Sequence, residues 1–364
     1  MQRRRFLVKA GGVLVAAGAA TAVDAPNVIA QPKFRWRLAT SWPPKFHPPG
    51  IAAEMMAKMT EQMSGGRLHI EVYGAGELVP GLENFEACRS GTIQGGHSAA
   101  YYWAGKEPAT QWFTAVPFGL NAQGTQAWLM AAGGQKLYEE LYSGFGLVPR
   151  RGGPTGIQMG GWFRKKIDSI DDFKGLKMRI PGLGGKVVAR AGGTVTLLAV
   201  GDIFPSLERG VIDATEWVGP EDDIKLGLHN AARYNYYPGW HEPGTVEEMF
   251  ASKKAYDALP AESRHAIDYA CQANNVHVLA DYNVRNAQGL QKIRTEMKDK
   301  VEVLQLPESV LKALRPLAEA TLEEEAAKDP MAKKVHEAFK KFRAVYNSWD
   351  KVSEDPYQRL IASA

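Results

Sequence analysis

The sequence predicts an α/β protein of two α/β units followed by a helical C-terminal region. Three observations carry this: a strand-helix rhythm over the first hundred residues of the mature chain, its return between residues 175 and 217, and a largely Gly-free polar run after Pro260. The chain has 364 residues, 45% apolar, enough to bury two cores. We divide it into an export segment (1–30), a first α/β domain (31–153 with 243–260), a second (154–242), and a long helix with further helices (261–364).

In residues 1–30, Arg3-Arg4-Arg5 precedes a Gly- and Ala-rich apolar run and small residues ending at Val28-Ile29-Ala30. This reads as a cleaved export signal rather than an anchoring span. Arg3-Arg4-Arg5-Phe6-Leu7 is similar to a twin-arginine signal, and a basic Sec leader would look much the same. The segment holds four of the 44 Lys and Arg but one of the 40 Asp and Glu, so the remainder is almost neutral. A nucleic-acid partner is not expected.

Residues 34–40 alternate apolar and polar as a half-buried strand does. Pro43-Pro44 and Pro48-Pro49 break the chain before an apolar-periodic helix at 51–63, which Gly65-Gly66 ends. A strand at 68–73, a helix at 82–89 and a strand at 92–97 complete a β-α-β-α-β series, spacing that suits crossovers in a parallel sheet. A helix is predicted at 123–141, and Gly152-Gly153-Pro154 is the expected crossing between domains. The second series runs strand 175–180, helix 185–191, strand 194–200, helix 204–209 and strand 212–217. Beyond Pro260 come helix at 261–300 and more helix across 307–346. The long run packs in cis or exchanges between subunits of a homodimer, and the sequence supports either.

Cys88 and Cys271, the two cysteines, form no CxxC, and buried free thiols are the plainer reading. Enzyme signatures fail on inspection. Ser64 and Ser143 lack the glycine of a GxSxG elbow; His241-Glu242 runs into Pro243, so HExxH is broken; and 182–187 lacks the third glycine of GxGxxG and reads as a tight turn opening a helix.

The informative residues lie elsewhere. Arg179 ends a predicted strand just before Pro181-Gly182, where open parallel sheets bind ligands, and a guanidinium there can grip a carboxylate through two parallel hydrogen bonds. The plainer alternative is a strand-end arginine in a structural salt bridge. Aromatic residues (Tyr101-Tyr102-Trp103, Trp162, Trp217, Trp240) could wall a pocket or fill a core.

Gly175 to Arg179, the segment Gly201 to Trp217, and an exported chain of this length together resemble the solute-binding proteins of TRAP transporters. Within them, Gly156 to Arg164, Asp213 to Pro220 and Tyr236 to Trp240 resemble the branch that binds 2-oxo acids with a cation. The resemblance implies a periplasmic-binding-protein-like fold: two α/β domains with mixed, largely parallel sheets, hinged around a cleft and spanned by a long helix. It also implies a periplasmic receptor, not an enzyme, that captures a small 2-oxo or 2-hydroxy monocarboxylate such as pyruvate and passes it to the transporter's membrane subunits.

In that likeness Arg179 salt-bridges the ligand carboxylate. Gln158, Glu216, the Trp217 carbonyl and Glu242 surround Na⁺ or Ca²⁺ that bridges to the ligand, and Trp217 and Tyr101 border it. No organic cofactor is implied. Hard oxygen donors suit either ion, and two carboxylates beside an anion make sense only with a cation. Each residue also has a plainer reading: Glu216 as a solvated strand-end acid, Glu242 as a loop acid, Gln158 as a satisfied core amide. The sequence departs from the branch around Glu242, where His241-Glu242-Pro243-Gly244 replaces a more aromatic and glycine-rich stretch. The competing function is an exported metal-assisted lyase with Glu216 or His241 as base.

Overall fold

A computed structural model describes residues 33–362. The export segment predicted at 1–30 lies outside the described residues.

The first sheet is built as the alternation dictates. Strand β1 (Phe34–Thr40) is followed by helix α1 (Pro49–Met63), strand β2 (Leu68–Tyr73), helix α2 (Asn84–Arg89) and strand β3 (Gly95–Ser98). Both β2 and β3 run parallel to β1, as the crossover spacing requires. Ala52, Ala53, Met56 and Ala57 recur at helical spacing and form the buried face of α1.

The helix predicted at 123–141 is two helices, α3 (Ala122–Ala131) and α4 (Gly134–Ser143). Gly133 adopts φ +89° between them, a conformation that interrupts the ladder and that glycine takes without strain. The expected crossing at 152–154 lies inside strand β4 (Leu147–Gly156), which the Gly-Gly-Pro sequence had disguised.

The second sheet gathers β5 (Gly161–Phe163), β6 (Lys177–Arg179), then α5 (Gly182–Arg190), β7 (Thr194–Thr196), α6 (Val200–Glu208), β8 (Ala214–Thr215), α7 (Pro220–Lys225) and β9 (Tyr234–Tyr237). The strands predicted at 194–200 and 212–217 are shorter than the apolar runs suggested, because Val200 already opens α6 and Glu216 and Trp217 leave the ladder for the cleft. Strand β10 (Thr245–Ser252) then returns to the first sheet between β3 and β4, antiparallel to both.

After α8 (Lys253–Asp257), the long helix α9 (Ala261–Glu296) extends over 36 residues. Strand β11 (Glu302–Gln305) joins the second sheet beside β9, a correction to the all-helical expectation for this region. Helices α10 (Glu308–Ala327), α11 (Pro330–Asp350) and α12 (Glu354–Ala362) close the chain.

The resulting orders are β2-β1-β3-β10-β4 and β11-β9-β5-β8-β6-β7, each mixed. Two helices tie the sheets together. Helix α9 places Ile267, Ala270 and Cys271 in the core under the first sheet, and Val278, Tyr282 and Ile293 in a cluster with Trp162 of the second. Helix α10 contributes Val310, Leu314 and Ala318 to the core of the second sheet and Leu322 and Ala326 to a core of the first. Cys88 and Cys271 are free, buried in separate cores, and burial pushes each thiol up to about 12.

Candidate functional site

The site forms where strand ends of both sheets meet. Arg179 closes β6, and its side chain is 1% exposed. The chain turns three residues on at Gly182, whose φ of +59° is one that side chains rarely adopt and whose missing Cβ would lie a tight 3.0 Å from the Tyr101 Cβ.

The guanidinium is held on one edge only. Arg179 Nη1 donates to the Glu216 carboxylate Oε1 and, at 3.2 Å, to the Glu216 carbonyl. Nη2 reaches the Tyr102 hydroxyl at 3.4 Å, the Trp217 ring lies 5.3 Å from the guanidinium carbon, and Nε has no partner. Nε is thus free to donate, beside an Nη2 held only by the 3.4 Å contact to Tyr102, and the two together could present a fork to a carboxylate.

Glu216 follows β8 and is 1% exposed. Its Oε2 has no hydrogen-bond partner, although His241 Nε2 is 3.5 Å away. Neither ring nitrogen of His241 is satisfied. Glu242 is also buried. Its Oε2 accepts a 2.7 Å bond from the Thr245 hydroxyl, and its carboxyl is held well above the usual range by burial and then by the charge of Glu216. One ligating atom from each of Glu216, His241 and Glu242 falls within 4.8 Å of the others.

Gln158 lies beside them on the segment between β4 and β5. Its Nε2 donates to Thr155 and Thr245 at 3.3 and 3.5 Å, while Oε1 is buried without a donor. One end of the amide is thus paired and its oxygen is not. Gln158 N donates to the Glu242 carbonyl and Gly239 N to the Gln158 carbonyl, so the two loops that carry these residues are stitched together.

A small cavity of about 10 Å³, room for roughly one water, is lined by Trp42, Tyr101, Tyr102, Gln158, Trp217 and Glu247 among others. Trp42 and Trp217 meet edge to face at 5.9 Å, and Tyr101 and Tyr102 at 4.9 Å, giving apolar walls over a polar floor. Of the other aromatics considered, Trp103 donates to Glu248 in a core, Trp162 donates to Asp223, and Trp240 stacks on Phe118; none lines this cavity.

The six residues singled out from sequence, Tyr101, Gln158, Arg179, Glu216, Trp217 and Glu242, are thus buried at one cleft. Sequence reasoning missed Tyr102 as a partner of Arg179 and Thr245 as the hydroxyl shared by Gln158 and Glu242. Tyr102 was named only as an aromatic that could wall a pocket, which it does, and Thr245 stands three positions past Glu242 with nothing local to mark it. The arrangement presents an arginine fork, unpaired oxygen acceptors and aromatic walls, which suits an anion with a short organic body together with a cation. Oxygens of Gln158, Glu216 and Glu242 could hold that cation.

Comparison with known proteins agrees with this geometry. Residues 38–329 match the model for the bacterial extracellular solute-binding proteins of family 7, DctP. A monocarboxylate 2-oxoacid-binding periplasmic protein of a Nostoc species is 42% identical over 92% of this chain and 90% of its own. A TRAP periplasmic solute-binding protein from Pseudoalteromonas atlantica, solved with bound sodium and pyruvate, superposes with a TM-score of 0.87 at 39% identity, over 90% of this chain and 98% of its own. Another from Bordetella bronchiseptica, a mixed-occupancy dimer with copurified calcium and picolinate, gives 0.88 at 35% identity, over 92% and 98%.

Proposed function

As this chain belongs to family 7 of the bacterial extracellular solute-binding proteins, a family of receptors rather than enzymes, we propose that it captures a small 2-oxo or 2-hydroxy monocarboxylate, pyruvate or a near homologue, together with a cation. On this reading it then delivers the acid to the membrane subunits of a TRAP transporter. The lyase alternative, with Glu216 or His241 as base, is set aside by the family.

The observation that carries the reading is the pattern of unsatisfied buried groups: Gln158 Oε1 belongs to a residue of the aromatic-walled cavity, and Arg179 Nε and Glu216 Oε2 belong to an ion pair that adjoins it through Tyr102 and Trp217, whereas a buried polar atom is ordinarily paired. The Nε–Nη2 edge of Arg179 would take the ligand carboxylate. Gln158, Glu216, the Trp217 carbonyl and Glu242 would hold Na⁺ or Ca²⁺, whose charge would offset the two acids beside the bound anion. Tyr101 and Trp217 would cover the aliphatic part. The relatives solved with sodium and pyruvate, and with calcium and picolinate, support this pairing of ion and acid.

The reading extends to two domains, 31–153 with 243–260 and 154–242, closing on the ligand with 261–364 as their common support; a ligand favouring the closed state shifts the population toward it. It further takes 1–30 as an export signal of twin-arginine or Sec type, placing the mature chain in the periplasm, and allows a homodimer through α9, whose outer face exposes Tyr269, Val276 and Val284. Calorimetric titration with pyruvate in the presence and absence of each cation tests the core of the proposal; heat of binding from no 2-oxo acid under any condition would remove it.

A further inference from the structure

Glu247 is a buried acid of the ligand cavity that plays no part in holding the carboxylate or the cation. Among the described residues that line the cavity it is the single one with an acidic or basic side chain, and it is 3% exposed. Strand β10 brings it there. Side chains two apart on a strand share a face, so Thr245 and Glu247 both border the cavity, while the next residue, Glu248, turns into the core against Trp103, Tyr138 and Tyr142. Thr245 meets Gln158 and Glu242 at the cation end, and Glu247 stands one strand repeat beyond it, roughly 7 Å along. Its Oε2 has no hydrogen-bond partner. The one base within reach, His97, has Nε2 4.0 Å from that oxygen and cannot serve it. The Trp42 indole N–H can only donate, so His97 Nδ1 accepts that 2.8 Å bond and the proton on Nε2 is committed to the Gly152 carbonyl at 3.2 Å. A donor is left over in the same lining, since Trp217 Nε1 is also buried without a partner.

We infer that Glu247 sets the receptor's specificity for the tail of its ligand: the preferred 2-oxo acid carries a hydroxyl on a short carbon tail, which donates to the Glu247 carboxyl and accepts from the Trp217 indole. This rests on the reading that the cleft captures a 2-oxo acid. A methyl in that place would bury an acceptor and a donor unpaired, and an ammonium would serve Glu247 and leave the indole N–H idle; a hydroxyl alone answers both. The charge balance allows it. Burial, and then the charge of Asp222, hold the Glu247 carboxyl well above the usual range, so it stays neutral and adds no repulsion to a cavity that takes an anion. A carboxyl oxygen accepts a hydrogen bond in that state as well. Pyruvate, without the hydroxyl, would bind by its head alone and more weakly.

The test is calorimetry of the purified chain, with Na⁺ and Ca²⁺ present, against pyruvate and two pairs of acids of matched size: 3-hydroxy-2-oxopropanoate with 2-oxobutanoate, and 4-hydroxy-2-oxobutanoate with 2-oxopentanoate. In at least one pair the hydroxylated acid should bind about tenfold or more tightly than its aliphatic partner, a comparison that depends on no variant. Glu247→Gln keeps an acceptor and should retain the preference. Glu247→Leu removes it and should bring the two affinities together or reverse their order. Equal or tighter binding of the aliphatic acid in both pairs, or a preference that survives Glu247→Leu unchanged, would overturn this inference and leave the receptor reading standing. Heat of binding from none of the five acids would remove the receptor reading itself, and this inference with it.

Discussion

Arg179 is the residue on which the site's charge balance turns. It is buried between a carboxylate on one edge and a tryptophan face, and it retains an edge for a second anion. A lysine would keep the charge but lose the planar fork. Arg179→Lys is therefore expected to weaken 2-oxo acid binding by about 100-fold, on the order of 3 kcal/mol, while far-UV circular dichroism stays that of the parent. Equal affinity in calorimetry would show that the arginine does not grip the ligand. Arg179, Glu216 and Trp217 were legible in sequence because they stand at or just past strand ends within segments that resemble a family, whereas Gln158 and Glu242, on loops, were marked by the resemblance alone. What the sequence concealed is their satisfaction. Whether Gln158 is a core amide or an acceptor waiting for a partner depends on Thr155 and Thr245, and Thr245 is 87 positions away.

At the scale of elements, the loop from β9 to β10 carries His241 and Glu242 and is pressed against the loop that carries Gln158. A Cβ at Gly239 would fall 2.2 Å from the Gln158 carbonyl oxygen, a backbone atom with no rotamer by which to retreat. Gly239→Ala should cost on the order of 2 kcal/mol in stability and displace Gln158 from Glu242, so that ligand affinity falls together with the denaturation midpoint. A variant with parent stability and parent affinity would refute this packing argument.

Strand β10 supplies a second case. Glu248 is buried beneath the Trp103 indole and the Tyr138 and Tyr142 hydroxyls, and burial raises its carboxyl to about 7 despite these three donors. Below the usual carboxyl value of 4.5 it is protonated folded or unfolded. Between 4.5 and about 7 the folded chain keeps a proton that the unfolded chain has released, so this group's contribution to stability is lost as pH rises through that window and is flat above it. Glu248→Gln should lose less stability than the parent between pH 5 and 8 in denaturant titrations; an identical loss would exclude Glu248 as the source.

The elements themselves were read with uneven success, for physical reasons. The β-α-β-α-β opening was legible because crossovers impose a spacing and period-two alternation marks β1 and β2. Strand β4 was not, since glycine and proline at 152–154 are poor strand formers that survive here through pairing with β10. Strands β5, β9 and β11, three or four residues each, are too short to show a period, and only tertiary pairing defines them.

For the whole molecule, the two sheets share no strand yet share α9 and α10, whose apolar faces enter cores on both sides. On the receptor reading, one sheet would rotate against the other about these shared supports. Closure on the ligand should reduce the radius of gyration in solution scattering when cation and pyruvate are added together, and an unchanged profile at saturation would argue for a rigid cleft. The two-unit α/β plan was legible from the recurring rhythm, whereas the use of α10 as a second tie was not, because its two apolar stretches read as one amphipathic helix.

The measurement that bears most directly on the central claim is calorimetry of the metal-free protein with pyruvate, repeated with Na⁺ and Ca²⁺ added singly. One pyruvate per chain, bound without turnover and only when a cation is present, is the predicted result. Pyruvate consumed during the titration, or affinity unaltered by every cation and by chelator, would contradict it.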